Sequence, residues 1–172
     1  GKLNRTAGGP PIPIDARADG MVVVAKDHLA SAADPWRRSV YLVTRRAYNL
    51  SLLTTFDQPL VATNCLRRDT SAVPLQSLVM LNDAFLAEQA EQFAARVEQS
   101  SAASAELRIE VAFRLALARK PNATETATCS ELLRRQIDLA ASTGAAPDVA
   151  ARRALVQLCQ TLLNTSEFLY VE

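Results

Sequence analysis

The sequence predicts a mainly α-helical fold: a bundle of about five helices preceded by an irregular Gly/Pro-rich arm with a small two-stranded β element. Three observations carry that prediction. From residue 74 onward, apolar side chains recur at spacings of three and four, the repeat of a helix with one buried face. The first twenty residues hold Gly8-Gly9-Pro10-Pro11 and Pro13, which interrupt regular structure. Between these regions lie two short runs rich in β-branched residues, Met21–Ala25 and Ser39–Thr44. The reading gives an extended arm with a short strand over 1–33 and a helical domain over 34–172, one structural domain in all.

Each element follows from local chemistry. Met21–Ala25 reads as one strand and Ser39–Thr44 as a second, and the two are expected to pair as a ribbon. Asp34-Pro35 offers an alternative helical start, with Pro at the first position. One or two helical turns are expected from Asn49 to Phe56, stopped by Asp57-Gln58-Pro59. Pro74 opens a helix through Leu81 with Leu75, Leu78 and Val79 on its packed face. Asn82-Asp83 breaks it, and a second helix runs to about Val97 on the stripe Leu86, Ala90, Phe93, Val97. A third spans 105–118 with Leu107, Val111, Phe113 and Leu117, and Lys120-Pro121-Asn122 stops it. The fourth starts at Thr124-Glu125, buries Leu132, Leu133, Ile137 and Ala140, and ends before Gly144. Asp148 is expected to cap the fifth, whose stripe is Leu155, Leu158, Cys159, Leu162 and Leu163. Asn164 closes it, and an apolar tail over 166–171 is expected to dock on the core.

Composition bounds the function classes. The 172 residues are 49% hydrophobic and 22% charged, enough for a packed core and unlike a disordered chain. No apolar run approaches the roughly 20 residues of a membrane span, and residues 1–20 lack the hydrophobic segment of a signal peptide. Opening on Gly1, the sequence is expected to be a fragment of a larger protein. A net charge of +1 is far from the basic excess of a nucleic-acid binder. The charge is uneven, however: +4 over 1–80 (ten basic, six acidic) and −3 over 81–172 (nine basic, twelve acidic). Cys65, Cys129, Cys159 and the single His28 show no paired spacing, which argues against structural zinc and excludes covalent haem attachment within this segment. No GxSxG surrounds any serine, and nothing local brings His28 to Cys65 as a nucleophilic dyad.

The constellation with most chemical content is Arg67-Arg68-Asp69-Thr70-Ser71 together with Asp57. Guanidinium forks suit carboxylate, sulfate or phosphate groups, and Asp57 and Asp69 would orient them. The same residues would equally tie an irregular loop to the bundle. Gln76 and Asn82 read either as polar ligands in a cleft or as a loop donor and a helix-junction cap. Arg37 and Arg38 flank Trp36 and, with Arg45-Arg46, form either an anion platform or a core edge with a cation–π contact.

Several strings resemble one family. They are Leu3-Asn4-Arg5 with Gly8-Gly9-Pro10; Arg37-Arg38-Ser39-Val40-Tyr41; Phe56-Asp57-Gln58-Pro59; Arg67 to Leu78 continued by Leu81-Asn82-Asp83; Leu115 to Pro121 after Arg108-Ile109; and Leu162-Leu163-Asn164-Thr165-Ser166-Glu167-Phe168. In this order they resemble the domain of unknown function 1553, the C-terminal part of large planctomycete proteins, along the whole chain. The resemblance implies an extracytoplasmic setting, a separate domain carrying haem c, no cofactor in this segment, and upstream domains of the same polypeptide as partners. It implies no catalytic residue. Two functions are therefore expected to compete. One is a structural or interaction domain. The other is a share in a binding or catalytic cleft for an anionic, sulfated polysaccharide, built from Arg37, Arg38, Asp57, Arg67, Arg68, Asp69, Gln76 and Asn82.

Overall fold

The computed structural model describes residues 3–45, 47–58, 74–100 and 104–170. The chain divides into two compact units, Gly1–Gln76 and Ser77–Glu172. It is mainly helical, with a two-stranded antiparallel sheet near its start, as the sequence predicts.

In the first unit the sheet pairs β1, Ile14–Ala16, with β2, Val22–Val24, in the register Ile14↔Val24, Asp15↔Val23, Ala16↔Val22. Gly20, at φ 83°, lets the chain reverse between them. The Asp19 carboxylate accepts the Met21 N–H at 3.0 Å, and Arg17 N–H donates to Met21 O at 2.8 Å. Met21–Ala25 is thus a strand, but its partner is not Ser39–Thr44. Residues Ser39–Tyr41 close a 3-10 turn, after which Leu42 alone bridges to Ile12. Ile12 N–H donates to Tyr41 O at 2.7 Å and Ile12 O accepts Val43 N–H at 2.9 Å. A second bridge joins Asn4 to Arg37. The Gly/Pro arm is therefore laced along residues 36–43, and Ile12, Ile14, Val22 and Ala25 are buried. Asp34–Trp36 is a 3-10 turn with Pro35 in its first positions, the alternative the sequence offered there. Helix α1, Ser51–Thr55, is tied to β2 by the Ser51 hydroxyl, which accepts Val22 N–H at 2.8 Å. Asp57, at φ 56°, ends it.

Helix α2, Pro74–Asn82, crosses the division between the units. Its packed residues are Gln76 and Met80, while Leu75 and Leu78 are 54% and 57% exposed, so the face expected from the sequence is not the buried one. The second unit continues with α3 (Ala84–Ser100), α4 (Ala105–Leu117), α5 (Ala123–Ser142), α6 (Pro147–Leu163) and the single turn α7 (Ser166–Leu169). Helix α6 packs against α3, α4, α5 and α7. The core gathers Ala94, Val97, Ile109, Ala112, Phe113, Leu133, Ala154, Leu155, Leu158, Cys159 and Leu162. Alanines at these contacts let helix backbones approach closely, and burying each Leu contributes about 1.5–3 kcal/mol. Two stripes are shifted from expectation: α4 buries Ile109, Ala112 and Phe113 while Leu107 is exposed, and Ile137 of α5 faces outward.

The caps fix where the helices start. The Asp83 carboxylate accepts the Phe85 and Leu86 N–H groups, and Ser104 accepts that of Leu107. Asn122 and Glu125 form a reciprocal capping box, which starts α5 one residue before the expected Thr124. Asp148 does not cap α6. The helix begins at Pro147, whose fixed φ suits the first position, and Asp148 sits inside the first turn, where its charge meets the positive end of the dipole.

Candidate functional site

The residues singled out in the sequence go to different places. Arg37 follows the 3-10 turn Asp34–Trp36, and its side chain is only 4% exposed. One terminal nitrogen donates to Pro10 O at 3.1 Å and the other to Gly8 O. The guanidinium lies over the Tyr41 ring, 3.9 Å from its centroid, with an Asp34 carboxylate oxygen at 4.0 Å. Gly8 and Gly9 take φ of 75° and 87°, which turns the arm so that the Gly8 and Pro10 carbonyls converge on Arg37. This is a buried cation spent on backbone acceptors and an aromatic face. Arg38, the next residue, points to solvent. The pair does not act as one anion clamp.

Gln76 is 2% exposed and donates its amide N–H to Thr55 O at 3.1 Å, at the end of α1 and two residues before Asp57. Asn82 donates to Leu78 O at 2.9 Å, within its own helix. Arg45 donates to the Tyr48 hydroxyl at 2.9 Å. Arg67, Arg68 and Asp69 lie outside the described residues, as do Arg46, Thr70, Ser71 and Cys65. His28 is exposed at the end of a 3-10 turn. Of the predicted set, Asp57 and Gln76 are brought to the same end of α1. Shallow grooves flank two regions. One, about 410 Å³, is lined by Asn49, Ser51, Thr54, Thr55 and Leu75. The other, about 470 Å³, runs beside Glu91, Leu139, Arg152, Arg153 and Val156. Among the described residues, neither is lined by the predicted site residues.

A charged cluster outside the predicted site residues gathers around Arg119. All five N–H donors of Arg119 are engaged. Its Nε donates to Glu167 Oε1 at 2.6 Å and one Nη2 hydrogen to Glu167 Oε2 at 2.7 Å. Its other edge meets Glu125, Nη1 to Oε2 at 2.9 Å and Nη2 to Oε1 at 2.7 Å, and Nη1 also reaches Lys120 O at 3.1 Å. The Phe113 ring centroid is 5.4 Å from the guanidinium carbon. Hydrogen bonds from Arg119, and then from the Asn122 N–H, pull the Glu125 carboxyl down to about 2. Arg119 likewise holds Glu167 below the usual carboxylate range. Asn122-x-x-Glu125 is visible in the sequence as a capping box; that the same Glu also holds Arg119 depends on how the chain folds between them.

Other polar links are structural in geometry. Arg152 of α6 ion-pairs with Glu98 of α3 and donates to Glu91 O at 3.0 Å. Gln160 donates to Leu81 O at 2.8 Å. Cys129 and Cys159 are free thiols. Burial pushes Cys159 up to about 12 and raises Cys129, the opposite of what a thiolate nucleophile needs. Among the described residues no group of three or more His, Cys, Asp or Glu is placed to hold a metal ion, and no helix is long and apolar enough to cross a membrane.

The fold and these contacts define a class: a mainly helical domain with a laced, β-containing arm whose backbone carbonyls hold the buried guanidinium of Arg37. The chain belongs to the family described as a protein of unknown function, PSD1 (DUF1553), whose model matches residues 1–133. That span ends within α5, so the closing string around Glu167, counted in the resemblance, lies beyond it. No curated protein and no solved structure matches the chain.

Proposed function

We propose that this chain is a structural and interaction domain, and that it does its work without a catalytic centre of its own. The observation that carries the reading is Arg37. It stands in a string that resembles the family's, it has the chemistry of an anion ligand, and its guanidinium is buried on the Gly8 and Pro10 carbonyls. Gln76 is likewise buried on a backbone carbonyl, while Asn82, exposed, donates within its own helix. Leu78, Leu81 and Phe85 are each about half exposed, apolar surface of a kind that packs against another protein surface.

The setting belongs to the same proposal. The resemblance supports an extracytoplasmic location within a larger polypeptide, with upstream domains as partners and haem c held in one of them. Cell fractionation of the native protein tests the location: recovery in the cytoplasm counts against it. The function itself is tested by screening the folded chain against sulfated and neutral polysaccharides at low and moderate salt, beside a variant carrying Arg67→Ala and Arg68→Ala. No saturable binding and no turnover is the expected result. Salt-sensitive binding lost in the double variant overturns it in favour of a cleft for an anionic polysaccharide.

A further inference from the structure

Helix α4 carries apolar side chains on two sides. Its core side is Ile109, Ala112 and Phe113, all buried. Leu107, Val111 and Leu115 stand at i, i+4 and i+8. At 3.6 residues per turn they form a second ridge, centred about 150° around the helix from the first. Helices α3, α5, α6 and α7 pack on α4 without covering the ends of this ridge. Leu107 is 46% exposed and Leu115 38%, while Val111 between them is half-buried and touches the core. A surface helix ordinarily has one apolar stripe and a polar back. A row at i, i+4 and i+8 is instead the ridge that packs into the groove of a second helix.

The charges beside the ridge bear on which helix that is. Along one flank run Glu110 and Arg114, ion-paired at 2.8 Å, with Lys120 Nζ 3.3 Å from the same Glu110 oxygen. Arg108 stands on the other flank. In an antiparallel pair with a two-fold axis at Val111, each flank meets its own copy. Glu110 then lies roughly 3 Å along the axis from the partner's Arg114, so acid and base alternate between the copies. The two Arg108 positions are roughly 9 Å apart along the axis and do not oppose each other. A surface of one charge sign sets either Glu110 or Arg114 against its like; a second α4 satisfies both.

We propose that the outward face of α4 is a self-association surface, on which a second copy of this chain docks its own α4 antiparallel. Leu107 packs against the partner's Leu115, and Val111 meets its own copy. The inference uses a different element from Leu78, Leu81 and Phe85, and it holds whether or not the chain binds a polysaccharide.

Sedimentation equilibrium of the full chain, from micromolar to millimolar concentration, tests this. A reversible dimer is the expected result. Leu107→Ser combined with Leu115→Ser is expected to weaken it at least about tenfold, because two apolar contacts are lost at a buried ridge. Circular dichroism should show the helices of that variant intact. Glu110→Arg and Arg114→Glu each set like charges along the shared flank. Each variant is expected to associate weakly by itself, and the two to form a heterodimer when mixed in equal amounts. A native chain that stays monomeric throughout would overturn the proposal. So would a dimer indifferent to the paired serine substitutions, or charge variants whose mixture associates no better than either one.

Discussion

At the scale of single residues, the polar side chains of the first unit do the work that secondary structure does elsewhere. An irregular arm leaves carbonyls that no helix or ladder satisfies, and each buried one needs a donor. Arg37 serves Gly8 and Pro10, and Gln76 serves Thr55. Replacing Gln76 with Ala strands a carbonyl in a buried site and is expected to cost about 1–2 kcal/mol in urea denaturation. Cys159 provides a second residue-scale prediction. Its burial and high pKa should leave it unreactive toward a thiol reagent in the native chain at pH 8, and reactive at once after unfolding. Fast native labelling at Cys159 would mean that α6 opens locally. The sequence offered the loop-donor role of Gln76 and the buried stripe of Cys159, but not the carbonyl-binding role of Arg37. A guanidinium reads the same whether it awaits a sulfate or a carbonyl, and the arm that supplies the carbonyls lies far upstream.

At the scale of elements, the helices from α3 to α6 were legible because their apolar residues recur with the helical repeat and their ends carry recognisable caps. The Asn122–Glu125 box illustrates how much rests on one cap. Asn122→Ala should cost about 1 kcal/mol, measured as a shift in the thermal or urea transition of the second unit. The same box predicts a pH dependence. Glu125 titrates near 2 in the folded chain, below its ordinary 4.5, so its contribution is complete above about 4.5 and is lost as pH falls toward 2. Glu125→Gln should flatten the acid limb of the stability profile between those values. Two elements defeated sequence reasoning for physical reasons. The residues Leu75-Gln76-Ser77-Leu78-Val79-Met80-Leu81 are apolar on nearly every side, so periodicity cannot choose a face; the donor requirement of Thr55 O and the fit of Met80 choose it instead. Ser39–Tyr41 has the composition of a strand, yet Ile14–Ala16 sits across a turn made cheap by Gly20 and takes β2 first.

At the scale of the whole molecule, the two units rest on different physics. The second is a helical core in which α6 meets four neighbours, and truncating Leu158 to Ala should cost about 2–5 kcal/mol. The first is held, among its described residues, by laced backbone bridges and the buried cation of Arg37. Family membership over residues 1–133 spans the first unit and part of the second, and the matched span includes Arg37 as well as the cap of α5. The central claim is that such residues build the fold.

The most direct test compares two neighbouring arginines of one string. The chain has a single tryptophan, Trp36, next to Arg37, so its fluorescence reports unfolding of the first unit. Urea unfolding should show Arg37→Ala destabilised by roughly 2–3 kcal/mol, the cost of losing a buried guanidinium's charge-assisted bonds. Arg38→Ala, at an exposed position, should change stability by less than about 0.5 kcal/mol. Equal stability of the two variants, with Arg37→Ala abolishing binding of a ligand, would contradict the account and make Arg37 part of a site.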